Sequence, residues 1–337
     1  MPDRAAALQK FITGTDWAGA DLASLAGDAS NRRYLRLSRA ATGETAVLMD
    51  APPDKGEDVR PFLRIARHLT GLGLSAPRIL AQDARHGFLI LEDLGDALFA
   101  RVIAAAPAME QPLYAAATDL LVALHRHAPP PDLKHYSPPI MADMAALAFD
   151  WYLTGATGTQ SPERARFHTC IRDTLATHAG AADVLIQRDY HAENLLWLPD
   201  RAGVARVGLL DFQDAMTGHR AYDLVSVLQD ARRDVPPAIE TAMIDRYIAA
   251  SGVEAQGFVT AYRCLGAQRN LRILGVFARL CLRDGKPGYV DLIPRVWAHL
   301  ERDLAHPALS PMAEILRGIL PEPGPDILQR LKDQCPA

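Results

Sequence analysis

The sequence predicts an α+β fold of two lobes, in which a small antiparallel β-sheet with one main helix precedes a larger, mostly helical part. Two observations support this class. Short strand-like runs bounded by turn residues are confined to roughly the first ninety residues. After Gly95 the composition changes to alanine- and leucine-rich segments with helical periodicity. With 337 residues, the chain is long enough to bury the cores of two lobes.

The N-terminal lobe is expected to span residues 1–92 and to contain five strands. Residues 4–12 have the pattern of a short amphipathic helix. Leu35 and Leu37 alternate with polar neighbours, which is typical of a half-buried strand. Further strands are predicted at 45–49, 79–81 and 88–91, and the main helix at 57–72. Residues 93–96 would form a hinge to the second lobe.

The C-terminal lobe is expected to span residues 97–337. Apolar periodicity predicts helices within 97–127, 140–153, 163–178, 220–231, 236–251, 257–283 and 289–304. Segments 129–139 and 154–162 are rich in Pro, Gly or Thr and are predicted to be loops. The proline-containing tail, 305–337, carries two short helical runs and is expected to pack on this lobe.

Composition and charge exclude several classes of function. The net charge of −4 provides no basic field for a nucleic-acid backbone or an anionic membrane. No apolar segment approaches the ~18 residues that a membrane span needs, and no leader-like run begins the chain, so we expect a cytoplasmic protein. The four cysteines lie far apart and are expected to be buried or idle thiols, namely Cys170, Cys264, Cys281 and Cys335.

Three polar residues close apolar runs in the middle of the chain. Asp189 follows the strand-like run 184–186, and Asn194 comes five residues later. A predicted hairpin, with its turn at 199–203, then ends on Asp211. Asn194 and Asp211 offer the hard oxygen ligands that Mg²⁺ prefers, which leaves Asp189 to face an attacking hydroxyl. The alternative is a polar hairpin end with solvated carboxylates, but the order Asp-x4-Asn, hairpin, Asp-Phe matches the protein-kinase catalytic layout.

These residues resemble the aminoglycoside phosphotransferase/choline kinase branch of the protein-kinase-like fold. The resemblance lies in a phosphate loop at 27–37, an H-x-D-x-H-x-x-N-like motif at 188–194, Asp-Phe at 211–212 and Tyr-Asp-Leu at 222–224. It implies ATP as co-substrate with Mg²⁺, a catalytic Asp189, metal ligands Asn194 and Asp211, and an Asp223 that braces the catalytic loop. The nucleotide-binding residues that it implies are Ser30, Asn31, Glu92 and Leu94, and Arg33 is a further candidate for a different reason.

Three phrases, at 91–96, 211–215 and 268–271, look most like the bacterial anomeric sugar kinases. That resemblance implies transfer of the γ-phosphoryl group to the anomeric hydroxyl of N-acetylmuramate or N-acetylglucosamine in cell-wall recycling. His191, Glu193 and Asp214 are the candidate substrate contacts, although each could instead be a structural cap. Arg269 lies on an apolar helix and could meet a lactyl carboxylate, but we expect it to be solvated or salt-bridged.

One departure from the kinase pattern concerns the phosphate-gripping lysine of the third strand. Met49 occupies its place, so a cation from elsewhere is expected to face the phosphates. Arg32, Arg33 and Lys55 are the nearby candidates, and Arg33 is preferred. Glu57, the expected helix partner of that lysine, would then lack a lysine to pair with.

Two other functions compete with the sugar kinase. An aminoglycoside or small-amine kinase would need carboxylates around a cationic acceptor, whereas several arginines lie in the C-terminal helices. A non-catalytic nucleotide-binding regulator would suit Met49, but the joint presence of Asp189, Asn194 and Asp211 argues against it. The sequence does not decide the oligomeric state.

Overall fold

The computed structural model describes residues 4–25 and 31–336. The chain divides into two compact units. The first comprises Met1–Ala116 and Ala192–Ala215, and the second comprises Ala117–His191 and Met216–Ala337. The first unit therefore contains two segments beyond the predicted lobe of residues 1–92. The secondary structure confirms the α+β class, with a five-stranded antiparallel sheet followed mainly by helices.

The elements follow one another in an order close to the predicted one. Up to residue 124 they are α1 (Arg4–Thr13), β1 (Asp21–Ser24), β2 (Arg33–Ser38), β3 (Thr45–Asp50), α2 (Arg60–Gly71), β4 (Ile79–Asp83), β5 (Phe88–Glu92), α3 (Phe99–Ala105) and α4 (Glu110–Leu124). Next come α5 (Pro138–Ala145), a π-helical segment (Ala148–Leu153), α6 (Thr154–Thr157), α7 (Arg164–Ala179), β6 (Val184–Ile186), β7 (Leu195–Trp197), β8 (Val207–Leu209) and β9 (Met216–Gly218). The last are α8 (Tyr222–Leu228), α9 (Pro237–Ser251), α10 (Ala255–Leu282), α11 (Ile293–Leu304), α12 (Ser310–Leu316) and α13 (Pro325–Asp333).

The sheet of the first unit has the strand order β1-β2-β3-β5-β4. Its two faces have different surroundings because successive side chains in a strand alternate. Leu37, Leu48 and Ile90 are buried together with Ile12 and Trp17 in a core on one face. In the β2–β3 register, Tyr34 lies opposite Met49. The edge strand β1 is exposed along its whole length, and it therefore lacks a clear apolar alternation in the sequence.

Helix α2 begins three residues later than predicted. The Asp58 carboxylate accepts a hydrogen bond from the backbone N–H of Arg60 at 2.9 Å, and Pro61 occupies the first turn. Both features favour a helix start at this position. The residues that α2 buries are Phe62, Leu63, Ile65, Ala66 and Leu69.

The second unit is organised around α10, a helix of 28 residues. It packs against α5, α7, α8 and α11 and buries residues along most of its length. At Gly275 a Cβ atom would lie 2.2 Å from the carbonyl carbon of Leu147. Glycine therefore allows the two backbones to approach closely at this crossing.

The C-terminal tail is fixed on the second unit. Leu331 in α13 is fully buried, and the Tyr152 hydroxyl donates to the carbonyl of Pro321 at 2.7 Å. Cys281 and Cys335 form a disulfide, whereas Cys170 and Cys264 are free. The expectation of four unpaired thiols is therefore wrong for two of them. The pairing depends on how the tail packs, and a separation of 54 residues gives no spacing signal for it.

Within residues 4–25 and 31–336, no helix is both long and apolar enough to cross a membrane.

Candidate functional site

The predicted catalytic loop follows strand β6 in the second unit. β6 is fully buried and pairs with β9. The chain then turns at Arg188, which has a φ of 73°, a conformation that non-glycine residues rarely adopt. The Asp223 carboxylate accepts hydrogen bonds from the backbone N–H groups of Gln187 at 2.6 Å and Arg188 at 2.9 Å. Asp223 thus braces the turn before Asp189, as the family resemblance implies.

The Asp223 carboxylate that supports this turn is buried. Asp223 is 0% exposed, and burial raises its pKa to about 7, against the opposing effect of its two N–H donors. The Ser226 hydroxyl makes a longer contact of 3.4 Å with the Arg188 carbonyl. On the other side of Asp189, the Tyr190 hydroxyl donates to the carbonyl of Ala117 at 2.9 Å. The loop is therefore held by side chains of α8 and by a backbone carbonyl of α4.

His191 lies in the same unit and is 7% exposed. Burial is the main cause that lowers its pKa to about 4, so the imidazole is neutral at pH 7. The charges of Asp189, Asp230 and Arg269 act on it. Arg269 is itself buried, at 5% exposure, and makes no ion pair with any residue of the described chain. The expectation that Arg269 is solvated or salt-bridged is therefore wrong.

The predicted metal ligands lie together at one end of the β7–β8 hairpin in the first unit. The backbone N–H of Leu210 donates to the Asn194 carbonyl at 3.0 Å, which aligns the residues flanking the two strands. The Asn194 amide nitrogen lies 3.3 Å from Asp211 Oδ2, and Gln213 Nε2 donates to Asp211 Oδ1 at 2.6 Å. Asp211 has a φ of 56°. Such strained backbone tends to occur at functional positions.

This donor set fits Mg²⁺. Asn194 and Asp211 offer one amide and one carboxylate group, and Mg²⁺ takes few protein ligands because it keeps waters and binds phosphate oxygens. Among the described residues, no group of three or more His, Cys, Asp or Glu side chains could hold a metal ion. The two oxygen donors at the hairpin end would leave most of a Mg²⁺ coordination shell to waters and phosphate oxygens.

A cavity of about 430 Å³ lies within the first unit and includes this hairpin end. Its size is in the usual range for small-molecule sites. The predicted nucleotide-binding residues Glu92 and Leu94 line it, as does Glu193, which was predicted to contact the acceptor. Its apolar lining includes Val47, Met49, Phe62, Leu91, Leu196 and Leu210. Met49, which the sequence predicts at the position of the kinase lysine, thus contributes to the apolar lining.

The other predicted nucleotide-binding residues either do not line this cavity or fall outside the residues that the structure describes. Ser30 falls outside the described residues. The Asn31 backbone N–H donates to Glu57 at 3.1 Å, and its amide lies 3.3 Å from the Lys55 carbonyl. The Arg33 side chain is 65% exposed, and its Nε donates to Asp50 at 3.0 Å. Neither Asn31 nor Arg33 belongs to the lining of the cavity in the described chain.

Glu57 has a cationic partner, since Arg32 Nε lies 2.8 Å from its Oε2. As expected, this partner is not a lysine, and Glu57 itself lies before α2, which begins at Arg60. Arg36 and Arg101 line the cavity, and Arg36 is held by Asp93 at 2.7 Å and Asp96 at 2.9 Å. Sequence reasoning missed Arg36, although its alternation with Leu35 and Leu37 on β2 could have placed it on the face opposite to the core.

Asp214, a predicted acceptor contact, is an exposed residue of the first unit. His191 and Asp189 belong to the second unit, whereas Glu193, Asn194 and Asp211 belong to the first.

Comparisons with known proteins agree on a family. A family model described as the phosphotransferase enzyme family matches residues 21–262. A curated N-acetylmuramate/N-acetylglucosamine kinase from Caulobacter vibrioides is 40% identical, with 91% of this chain and 94% of the relative covered. A kinase of the same name from Pseudomonas aeruginosa is 34% identical, with 89% of each chain covered.

Solved structures share the fold at much lower identity. An ethanolamine kinase from Plasmodium vivax is 12% identical with a TM-score of 0.60, covering 91% of this chain and 87% of that one. The ADP-bound aminoglycoside phosphotransferase APH(2'')-Ib is 14% identical with a TM-score of 0.60, covering 92% of this chain and 98% of that one. These likenesses support the kinase-like α+β architecture.

Proposed function

Because this chain belongs to the phosphotransferase enzyme family, we propose that it transfers the γ-phosphoryl group of ATP to the anomeric hydroxyl of N-acetylmuramate and N-acetylglucosamine. The observation that carries this proposal is the 40% identity to a kinase of that name over 91% of the chain. The presence of Asp189, Asn194 and Asp211 at the ends of their strands supports it.

Asp189 is the residue to which we assign the acceptor hydroxyl. Phosphoryl transfer has a loose transition state, so catalysis depends mainly on positioning and charge stabilisation. Asp189 would orient the hydroxyl and take its proton late in the reaction. A carboxylate is a weak base, and it suits an anomeric hydroxyl because that group is more acidic than an ordinary alcohol. The hydrogen bonds that Asp223 accepts from the backbone N–H groups of Gln187 and Arg188 support this role by fixing the turn that precedes Asp189.

Asn194 and Asp211 would hold Mg²⁺, and Gln213 supports the orientation of the Asp211 carboxylate. When bound, Mg²⁺ neutralises negative charge on the phosphate oxygens. The backbone from Glu92 to Leu94 would hydrogen-bond adenine, and the apolar lining near Met49 suits a flat base. Ser30 and Asn31 remain proposed nucleotide contacts on the basis of the family motif, and Arg33 remains the cation proposed in place of the third-strand lysine.

His191, Glu193 and Asp214 remain the proposed sugar contacts. The neutral His191 can donate or accept a hydrogen bond to a sugar hydroxyl without adding charge. Since the reaction consumes ATP, we also propose that the protein acts in the cytoplasm. Residues 93–96 are the proposed hinge between the nucleotide-binding and acceptor-binding lobes.

A coupled ADP-release assay with Mg-ATP tests the function. N-acetylmuramate, N-acetylglucosamine, an aminoglycoside and choline are compared as acceptors, with Asp189→Ala beside the wild type. We expect turnover on the two amino sugars and a loss of about 10²-fold or more in the variant. Asp183→Ala is the matched control, because Asp183 is an exposed carboxylate just before the same strand and pairs with Arg220.

Turnover restricted to the aminoglycoside or choline would refute the sugar assignment but keep the kinase. Nucleotide binding without turnover on any acceptor would refute the proposal and favour a regulator. Asp189→Ala with wild-type activity would remove Asp189 from the mechanism.

A further inference from the structure

Two arginines of α10 lie beside the catalytic loop of the second unit. Arg269 and Arg272 are three residues apart, so their side chains are neighbours on one face of the helix. Arg269 is 5% exposed, and Arg272 is partly exposed next to Tyr222 and Tyr136. The charges of both arginines act on Asp189. Two guanidinium groups are therefore near the residue to which we assign the acceptor hydroxyl.

Neither guanidinium is neutralised by a direct ion pair within residues 4–25 and 31–336. One nitrogen of Arg269 donates to the Gln229 carbonyl at 3.2 Å, and its buried Nε has no hydrogen-bond partner. Burial lowers the pKa of Arg269, because the charged form is poorly solvated there. Arg263 on the same helix differs, because it pairs with Glu240 at 3.2 Å and Asp303 at 3.1 Å.

A buried cation without a paired anion is costly. Asp230 is close enough to attract Arg269, but its Oδ1 accepts a hydrogen bond from the backbone N–H of Arg232, at 2.9 Å. The hydrogen-bonding capacity of the Arg269 guanidinium is therefore incompletely used. A bound carboxylate would complete it, since planar guanidinium groups bind carboxylates through paired hydrogen bonds.

We propose that Arg269 and Arg272 bind a carboxylate of the acceptor and so determine a preference for acidic over neutral amino sugars. This inference rests on the proposed function. N-acetylmuramate carries a lactyl carboxylate that N-acetylglucosamine lacks, so the two sugars differ in the one group that these arginines recognise. The same pair of cations disfavours a polycationic aminoglycoside near Asp189.

The test compares N-acetylmuramate, its methyl ester and N-acetylglucosamine. In the wild type, the free acid should have a KM about tenfold or more below that of the methyl ester, because each charge-assisted bond is worth about tenfold to a hundredfold. Arg269→Gln and Arg272→Gln should raise the KM for the acid to near that of the ester. Their kcat/KM for N-acetylglucosamine should change by less than about threefold.

Arg279→Gln is the matched control, because Arg279 lies on the same helix about 15 Å further along and should leave all three KM values unchanged. Thermal unfolding of each variant checks folding. If Arg269→Gln does not fold, the partly exposed Arg272 still tests the inference.

Equal losses of kcat on acid, ester and N-acetylglucosamine would show that the arginines position Asp189 and would overturn the inference. Equal KM values of acid and ester in the wild type would also overturn it. If the wild type phosphorylates none of the sugars, the proposed function fails. Calorimetric binding of acid against ester to the wild type then still decides whether a carboxylate site exists.

Discussion

Replacing Asp223 by asparagine tests how the catalytic loop is held. The carboxylate accepts two backbone N–H bonds, of 2.6 and 2.9 Å, and is fully buried. Asparagine keeps one acceptor oxygen and turns an NH₂ group towards the second donor. One charge-assisted bond is lost and one buried N–H is left unpaired, which costs about 2–3 kcal/mol. The turn at Arg188 should loosen, and kcat should fall about tenfold or more because Asp189 is less well positioned.

The assay is urea unfolding beside steady-state kinetics at pH 8. Burial raises the pKa of Asp223 to about 7, so this pH keeps the wild-type carboxylate mostly ionised. Ser226→Ala is the control, since its hydroxyl contacts the same loop at a long 3.4 Å and should cost less than about 1 kcal/mol. An Asp223→Asn variant with the wild-type urea midpoint and kcat would refute the bracing role.

Three further predictions concern other parts of the chain. Asp211→Asn should raise the Mg²⁺ concentration for half-maximal rate by about tenfold or more; an unchanged Mg²⁺ titration would contradict the assigned ligand. Burial lowers the pKa of His299 to about 4. Between pH 6.5 and 4 the unfolded chain therefore binds more protons than the folded protein. The stability that is present above pH 6.5 is lost as the pH falls through this range. Wild type should lose about 1.4 kcal/mol more than His299→Gln between pH 8 and 5.5, measured by urea unfolding; parallel losses would contradict this. Cys335→Ser should lower the free energy of unfolding by about 4 kcal/mol in oxidising buffer, because the disulfide closes a loop of 54 residues. The free energy of unfolding of the reduced wild type should equal that of the variant. Equal stability of the oxidised proteins would refute the prediction.

The fold class and the order of the motifs could be predicted because they depend on local patterns. The alternation of apolar and polar residues predicted β2. The polar residues after β6 and β8 could be identified because each follows an apolar run. The position of Asp223 came from the resemblance and not from any local pattern, since its partners lie 35 and 36 residues earlier in the chain.

Pairs whose partners are distant in the chain were not predicted. Arg32 pairs with Glu57 across 25 residues, and Cys281 pairs with Cys335 across 54. The burial of Arg269 was also missed, because α10 is enclosed by several helices and therefore lacks the one-sided apolar pattern of a surface helix. Such features depend on tertiary packing, which periodicity does not report.

The first compact unit is built from two stretches of chain, with residues 117–191 between them. Within that unit, the Ser75 hydroxyl donates to the Ala205 carbonyl at 2.6 Å, Trp197 N–H donates to the Ala97 carbonyl at 2.8 Å, and Glu92 pairs with Arg201 at 2.8 Å. None of these bonds can form on the ribosome until the hairpin has been synthesised. During synthesis, the surface of the N-terminal segment that the hairpin covers in the folded protein therefore stays exposed until residues 117–191 and the hairpin have emerged. A fragment that ends at Ala116 would retain the same uncovered surface permanently, so this half of the protein is not a separable module for expression or for domain exchange.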